Sequence, residues 1–411
     1  MIDAKTCRAL AGSLTALCCC TWQTATGAWD FNERIAVTSS AGDGVFHHAD
    51  SAGRRNVAVG DGYVAVTWED NRADRPAVFI AFKAIHDRDF AHEYRLSDAR
   101  LDAYEPAVSA LPGDRFMVAF EQDGFVYAIV ADPSGTGTAQ RIGQRHGAQP
   151  TLVTRDAHTV LVAWSEDYLD GNSRIQTCTV TAADSTRALT VGPVRPLENQ
   201  PPPAKQLYPA LAWSAHGPVV AWEDRRHGHT RIVASAAAAD AFTTPREINE
   251  FLSERSVYDR GSGAARVVLG SNDRRTVAVW MDKREGGKGY SLYAAWSDDG
   301  GRTFGSNQPV HDAFGQSVGQ VNPAVASNRA GETVVAWDDA RVDDADIWLA
   351  TPAAGGWSEN IQVPPASGEG EQSNASLALD KHGNVHLVWI ERAVLRGPTR
   401  LWYSLGLRHG S

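Results

Sequence analysis

Beyond residue 20 the chain holds a single cysteine, Cys178, so no intrachain disulfide can staple the remainder. Stability must therefore come from a core, and 411 residues that are 43% hydrophobic can supply one. An excess of positive charge is also lacking. The formal net charge is −10, which argues against nucleic acid as a partner, because phosphate binding needs a basic surface. Long apolar runs are scarce: residues 9–20, ALAGSLTALCCC, are shorter than the roughly 20 residues of a membrane-spanning helix. Helical periodicity is nearly absent, which excludes a helical bundle.

The short apolar run has a different reading. Lys5 and Arg8 precede it, and Thr26-Gly27-Ala28 offers small residues before a cut. Residues 1–28 are thus expected to be a secretory signal, with a mature chain of 29–411 that is secreted or periplasmic. Cys7, Cys18, Cys19 and Cys20 would leave with it, although Cys18 could instead carry a lipid anchor. Cys178 lies in the alternating run SRIQTCTV and reads as a buried structural thiol.

What the chain has in abundance is a repeat. A β-rich run ends in an aromatic residue, then acids, often then arginine. The aromatic anchors are Trp68, Phe120, Trp164, Trp222, Trp280, Trp337 and Trp389, separated by 52, 44, 58, 58, 57 and 52 residues on subtraction. A period near fifty with strand-like units means a radial or stacked array. Each unit parses into four strands. The first often follows a proline, as at Pro106, Pro150, Pro209 and Pro323, where no ladder bond is lost. Turns such as LPGDR and DKHGN lead to the anchor strand. Alternating third strands follow, such as RIVASA and SLYAAW, then polar fourth strands such as VRPLEN and NIQVP. Repeated radially, such units predict an all-β, seven-bladed β-propeller of four-stranded antiparallel blades.

The last unit stops after its third strand, LWYSLG, while an orphan run, Glu33 to Val37, precedes the first. Residues 32–38 are therefore expected to complete the last blade and close the ring, removing exposed edges.

Strand order places the Trp-x-acid-x-Arg motif on the same face as the loops entering each first strand. Its acids are Asp70, Glu166, Asp224, Asp282, Asp339 and Glu391, and its arginines are Arg72, Arg226, Arg284, Arg341 and Arg392. A catalytic centre breaks symmetry whereas a scaffold device repeats, so these pairs read as hairpin architecture rather than a ligand cluster. The loops that do not repeat carry the site candidates. They are His47, His48, Arg54 and Arg55 before blade one, and Tyr104 and Glu105 before blade two. Arg145, His146 and Gln149 precede blade three, and Lys205 and Tyr208 precede blade four. The insertion 249–265 brings Glu254, Arg255, Tyr258 and Arg260 before blade five. Cations, carboxylates and aromatics converging on one funnel suit a polar ligand such as a sugar. Calcium is a further possibility, from Asp167, Asp170 and Asn172, or from Asp343, Asp344 and Asp346.

One tight turn stands out. Ser297-Asp298-Asp299-Gly300-Gly301-Arg302-Thr303-Phe304 joins the third and fourth strands of the fifth unit. Asp299, Ser297 and Thr303 can bond turn amides, Gly301 tolerates unusual dihedrals, and Phe304 can pack back between sheets. The pattern resembles the Asp box of sialidase-like (BNR-repeat) propellers, with a degenerate version at 353–358 in the sixth unit. In that family the box is structural and lies away from the active site.

The resemblance implies, for catalytic members, three clustered arginines, a tyrosine paired with a glutamate as nucleophile, and an acidic proton donor. Tyr258 with Glu254 could imitate the pair, and Arg55 and Arg255 could join the cluster. The Arg-Ile-Pro usual early in the first blade reads Arg54-Arg55-Asn56-Val57 here, and seven units stand where family sialidases have six. Seven-bladed relatives include polysaccharide lyases and glycosidases that use His, Tyr and Arg, for which His146 and Tyr208 are available. Two functions remain open. The leading one is a non-catalytic module binding a glycan or an envelope or extracellular protein. The alternative is a carbohydrate-active enzyme, an exo-sialidase-like glycoside hydrolase or a polysaccharide lyase.

Overall fold

A computed structural model describes residues 29–42, 44–49, 55–183, 186–239, 241–250, 263–284 and 289–409. They form seven small antiparallel sheets in a ring, the predicted seven-bladed propeller. Blade one runs from His47 to Arg95, two from Ala103 to Arg141, and three from Gly147 to Pro196. Blade four runs from Gln206 to Glu247, five from Ala264 to Pro309, six from Gln320 to Gln362, and seven from Glu371 to Arg408. Ala264 and Ala265, which the sequence placed in the insertion, already belong to the first strand of blade five. The fourth strands are shorter than their sequences suggested. Most pair over two residues, such as Arg246–Glu247 and Ile361–Gln362, because the outer edge twists away from its neighbour.

The segment from Trp29 to Ala36 closes the ring. Trp29–Phe31 pairs with Thr399–Arg408, and Ile35–Ala36 pairs with the same strand further in. Trp29 Nε1 donates to the carbonyl of Gly383 at 2.7 Å, and the Arg34 guanidinium lies 4.7 Å over the Trp402 ring while bonding Glu391.

The core lies between blades. Seven apolar clusters each hold one anchor: Trp68 between blades seven and one, Phe120 between one and two, Trp164 between two and three. Trp222, Trp280, Trp337 and Trp389 continue round the ring. All seven anchors are 0% exposed. Each therefore glues its blade to the preceding one, and truncating a tryptophan to alanine there would cost roughly 3–5 kcal/mol. The period of fifty is thus the period of an interface.

The first strands surround the axis, and each from blade two to blade seven carries a bulge. The bulged residues Glu105, Gln149, Tyr208, Arg266, Asn322 and Asn374 have φ of 50 to 59°. For side-chain-bearing residues that region is strained by about 1–3 kcal/mol, and bulges concentrate next to functional sites.

Candidate functional site

Strand alternation divides the acids after each anchor into two sets. The acid two residues on shares the anchor's side of the sheet. Trp222 Nε1 donates to Asp224 Oδ2 at 2.9 Å, with counterparts at Trp68–Asp70 (2.8 Å), Trp280–Asp282 (3.0 Å) and Trp337–Asp339 (3.0 Å). The arginine then grips the same carboxylate, as Arg226 Nε and Nη2 do at 2.8 and 2.6 Å. It also reaches the segment leading into its blade: Arg226 to Glu198 at 3.0 Å, Arg341 to Asp312 at 2.9 Å. Its plane covers a third-strand aromatic, Arg284 on Tyr293 at 4.0 Å and Arg341 on Trp348 at 4.1 Å. Burial works to raise the pKa of Asp224, but bonds from Arg226 and Trp222 outweigh it and hold the carboxyl below its usual value. In blade three Tyr168 replaces the arginine, and there burial wins and pushes Glu166 up. In blade two Phe120 has no N–H to donate, and Gln122 replaces the acid. These groups clasp hairpins.

The residue directly after the anchor faces the next blade. Glu69 accepts from the Glu105 amide at 3.2 Å, Glu121 from the Gln149 amide at 2.6 Å, and Glu223 from the Arg266 amide at 2.8 Å. Asp338 accepts from the Asn374 amide at 3.0 Å. The left-handed bulge turns each amide toward the preceding blade, which accounts for its recurrence. Two sets result at the upper mouth of the channel, a ring of six bulged residues and a partial ring of four carboxylates from blades one, two, four and six. Sequence reasoning passed over Glu69, Glu121, Glu223, Asp338, Arg266, Asn322 and Asn374. Period-two alternation from the anchor would have separated them from the structural acids.

Between blades one and two the rings open into a cavity of about 550 Å³. His48, Glu69, Tyr104, Glu105, Glu121 and Gln149 line it, with Phe46 and Arg392 at its rim. His48 Nδ1 stands 3.5 Å from Glu69 Oε2. The Tyr104 hydroxyl is 3.5 Å from Asp102 Oδ2; burial and the charges of Asp102 and Glu69 push its pKa up, so it remains a neutral donor. Beneath, His47 is buried with Nδ1 3.2 Å from the Thr399 carbonyl, and burial lowers its pKa despite Asp70.

The other predicted candidates lie elsewhere. Tyr208 sits on the rim of blade four, its amide held by Gln149 Oε1 at 2.8 Å and its ring covered by Arg266 at 3.9 Å. Arg145 lies 4.9 Å over Tyr168, and His146 packs against Phe125 at 5.0 Å; neither lines the cavity between blades one and two. Lys205 is exposed beside them. Arg55 points into the channel, where Nη2 donates to the Leu269 carbonyl of blade five at 3.1 Å. Arg54, Glu254, Arg255, Tyr258 and Arg260 fall outside the described residues. Of the carboxylates weighed for calcium, Asp170 accepts from the Asn172 amide and pairs with Arg174, and Asp346 accepts from Gln362 and the Gly368 amide.

The turn of blade five lies at the opposite face, beside the His216 turn of blade four. Asp299 Oδ1 accepts from the Ser297 hydroxyl and from the amides of Arg302 and Thr303, and Oδ2 accepts from the Thr303 hydroxyl at 2.6 Å. Gly301 has a φ of 86°, and an added Cβ would meet Val219 at 2.5 Å. Phe304 packs against the cluster between blades four and five.

No family model and no curated protein matches the chain. Solved structures do. The polysaccharide lyase Uly1 superposes with a TM-score of 0.56 at 8% identity, over 92% of this chain and 99% of the lyase. Trypanosoma rangeli sialidase in complex with sialic acid gives 0.49 at 10% identity, over 90% of this chain and 58% of the sialidase. Penicillium chrysogenum α-L-arabinanase complexed with arabinobiose gives 0.48 at 14% identity, over 72% and 92%. The likeness to Uly1 is one of fold, and the described residues of this chain form a seven-bladed β-propeller. At such identities the likeness concerns architecture, and function has to be argued from the site.

Proposed function

We propose that this propeller is a secreted or periplasmic carbohydrate-binding module that takes a neutral or amino-bearing saccharide at the upper mouth between blades one and two. The supporting observation is the cavity where Glu69, Glu105 and Glu121 meet Tyr104, His48 and Gln149. Carboxylates and an amide accept sugar hydroxyls, and an exposed tyrosine ring covers an apolar sugar face. The chemistry disfavours a sialic acid, whose carboxylate would face three glutamates. Binding without turnover is the first reading, because Glu69 and Glu121 already hold the amides of the next blade. Held in this way, Glu69 and Glu121 are fixed parts of the frame.

Turnover is the second reading, and one observation favours it. Asp338 is buried at the mouth of blade six, and burial pushes its pKa up to about 7 against the bonds from Asn374 and Asn322. Its Oδ1 has no partner among the described residues. A carboxyl poised near neutrality is suited to proton transfer.

A panel of neutral oligosaccharides, chitosan oligomers, sialyllactose and oligogalacturonate decides between these readings when binding and product release are both followed. Binding of a neutral or amino sugar without products supports the module. Products that disappear in Asp338→Asn support the enzyme. Preference for sialyllactose would overturn the assignment of ligand class.

A further inference from the structure

The channel has a second mouth, and its chemistry is different. On the face opposite these carboxylates, the turns between first and second strands of blades three to seven surround a cavity of about 710 Å³. Three of those blades each place a cation there: Arg155, Arg329 and Lys381. Arg329 and Lys381 are exposed, and among the described residues neither has an ion-pair partner. Arg155 has Asp156 at 3.6 Å.

Two carboxylates share the cavity. Asp380 is engaged by its own turn: it accepts from the amides of His382 and Asn384 at 2.8 and 2.9 Å and from Asn384 Nδ2 at 2.8 Å, with His386 Nε2 at 3.8 Å. Asp273 is exposed at the rim. Trp213 of blade four presents a half-buried indole to the same space, beside Ser271 and Ser327.

We propose that this lower mouth is a second binding site, for an oligosaccharide that carries carboxylate groups. The indole gives a face for a sugar ring to stack on, and the cations, set on three separate blades, offer charge-assisted bonds to carboxylates at more than one point of a chain. Arg55 crosses the channel from blade one to the Leu269 carbonyl of blade five, between the two mouths. The lower site is therefore separate from the upper one, and its ligand is of opposite charge preference.

The test uses the mature chain and calorimetric titration with tetragalacturonate, its methyl ester and an oligothymidylate of similar charge. Tetragalacturonate is expected to bind, weakening as salt is raised, while the methyl ester binds at least about tenfold less tightly. The double variant Arg329→Ala/Lys381→Ala, at exposed turn positions, is expected to lose at least about tenfold in affinity with an unchanged Tm. Tyr104→Ala, at the upper mouth, is expected to leave this affinity unchanged. Absence of tetragalacturonate binding, equal binding of the methyl ester, tighter binding of oligothymidylate, or an affinity insensitive to the double variant would each overturn the proposal. Loss with Tyr104→Ala would do the same, by moving the ligand to the other mouth.

Discussion

Trp222 Nε1 and Asp224 Oδ2 are 2.9 Å apart, with both side chains 0% exposed. The indole belongs to the cluster joining blade four to blade three, and the carboxylate passes the connection on to Arg226 and, through it, to Glu198. One three-residue spacing thus joins an interface, a hairpin and the loop that enters the blade. It recurs at blades one, five and six, which is why the motif dominates the sequence.

Removing the centre of that relay should be costly. Asp224→Ala leaves the Trp222 N–H and the Arg226 guanidinium without their buried acceptor, and breaking such a pair costs about 3 kcal/mol or more. Urea unfolding should show the loss at pH 7. Because the folded pKa of Asp224 is depressed, its contribution is present above the ordinary carboxylate range and is lost on acidification below about pH 4. The wild-type and variant curves should therefore converge in acid. Saccharide binding should be unchanged.

Ring closure makes a second prediction. Deleting residues 29–40 removes Trp29, Phe31 and Ile35 from the last blade and bares the edge of Thr399–Arg408. Tm should fall by roughly 10 °C or more, because these three side chains and that of Val37 leave the core together. Scanning calorimetry of the truncated chain measures this, and an unchanged Tm would mean that the ring closes without the first strand.

Asp338 should impose a pH dependence of opposite sign. Its carboxyl keeps its proton to about pH 7 in the fold, whereas an unfolded chain releases it near pH 4. Between these limits the folded state binds more protons, so the stabilisation is fully present below about pH 4 and declines as pH rises toward 7. Asp338→Asn mimics the neutral form. The variant should match wild type in urea midpoint at pH 4 and exceed it at pH 8; parallel profiles would contradict the raised pKa.

The sequence carried the fold because each blade solves the same burial problem with the same residues. Trp68, Trp164, Trp222 and their counterparts recur because every interface needs one large apolar side chain. Ring closure was legible in the missing fourth strand after residue 406 and the surplus one before blade one. The upper mouth was legible in part: His48, Tyr104, Glu105 and Gln149 do gather around one cavity, whereas Arg145 and His146 pack on Tyr168 and Phe125 instead. The carboxylate ring was hidden because its partners sit on neighbouring blades. Glu69 meets Glu105, and Asp338 meets Asn374, only once the sheets stand side by side. Adjacent acids such as Glu69 and Asp70 look alike in sequence, and the side of the sheet alone tells them apart.

The most direct test of saccharide recognition at the upper mouth is a calorimetric titration of wild type, Tyr104→Ala and Glu121→Gln with the best neutral or amino-bearing oligosaccharide from the panel. Tyr104→Ala is expected to weaken binding about tenfold or more through loss of the stacking face, and Glu121→Gln to weaken it less, since an amide oxygen still accepts the Gln149 amide. Equal affinity for all three proteins would contradict the account.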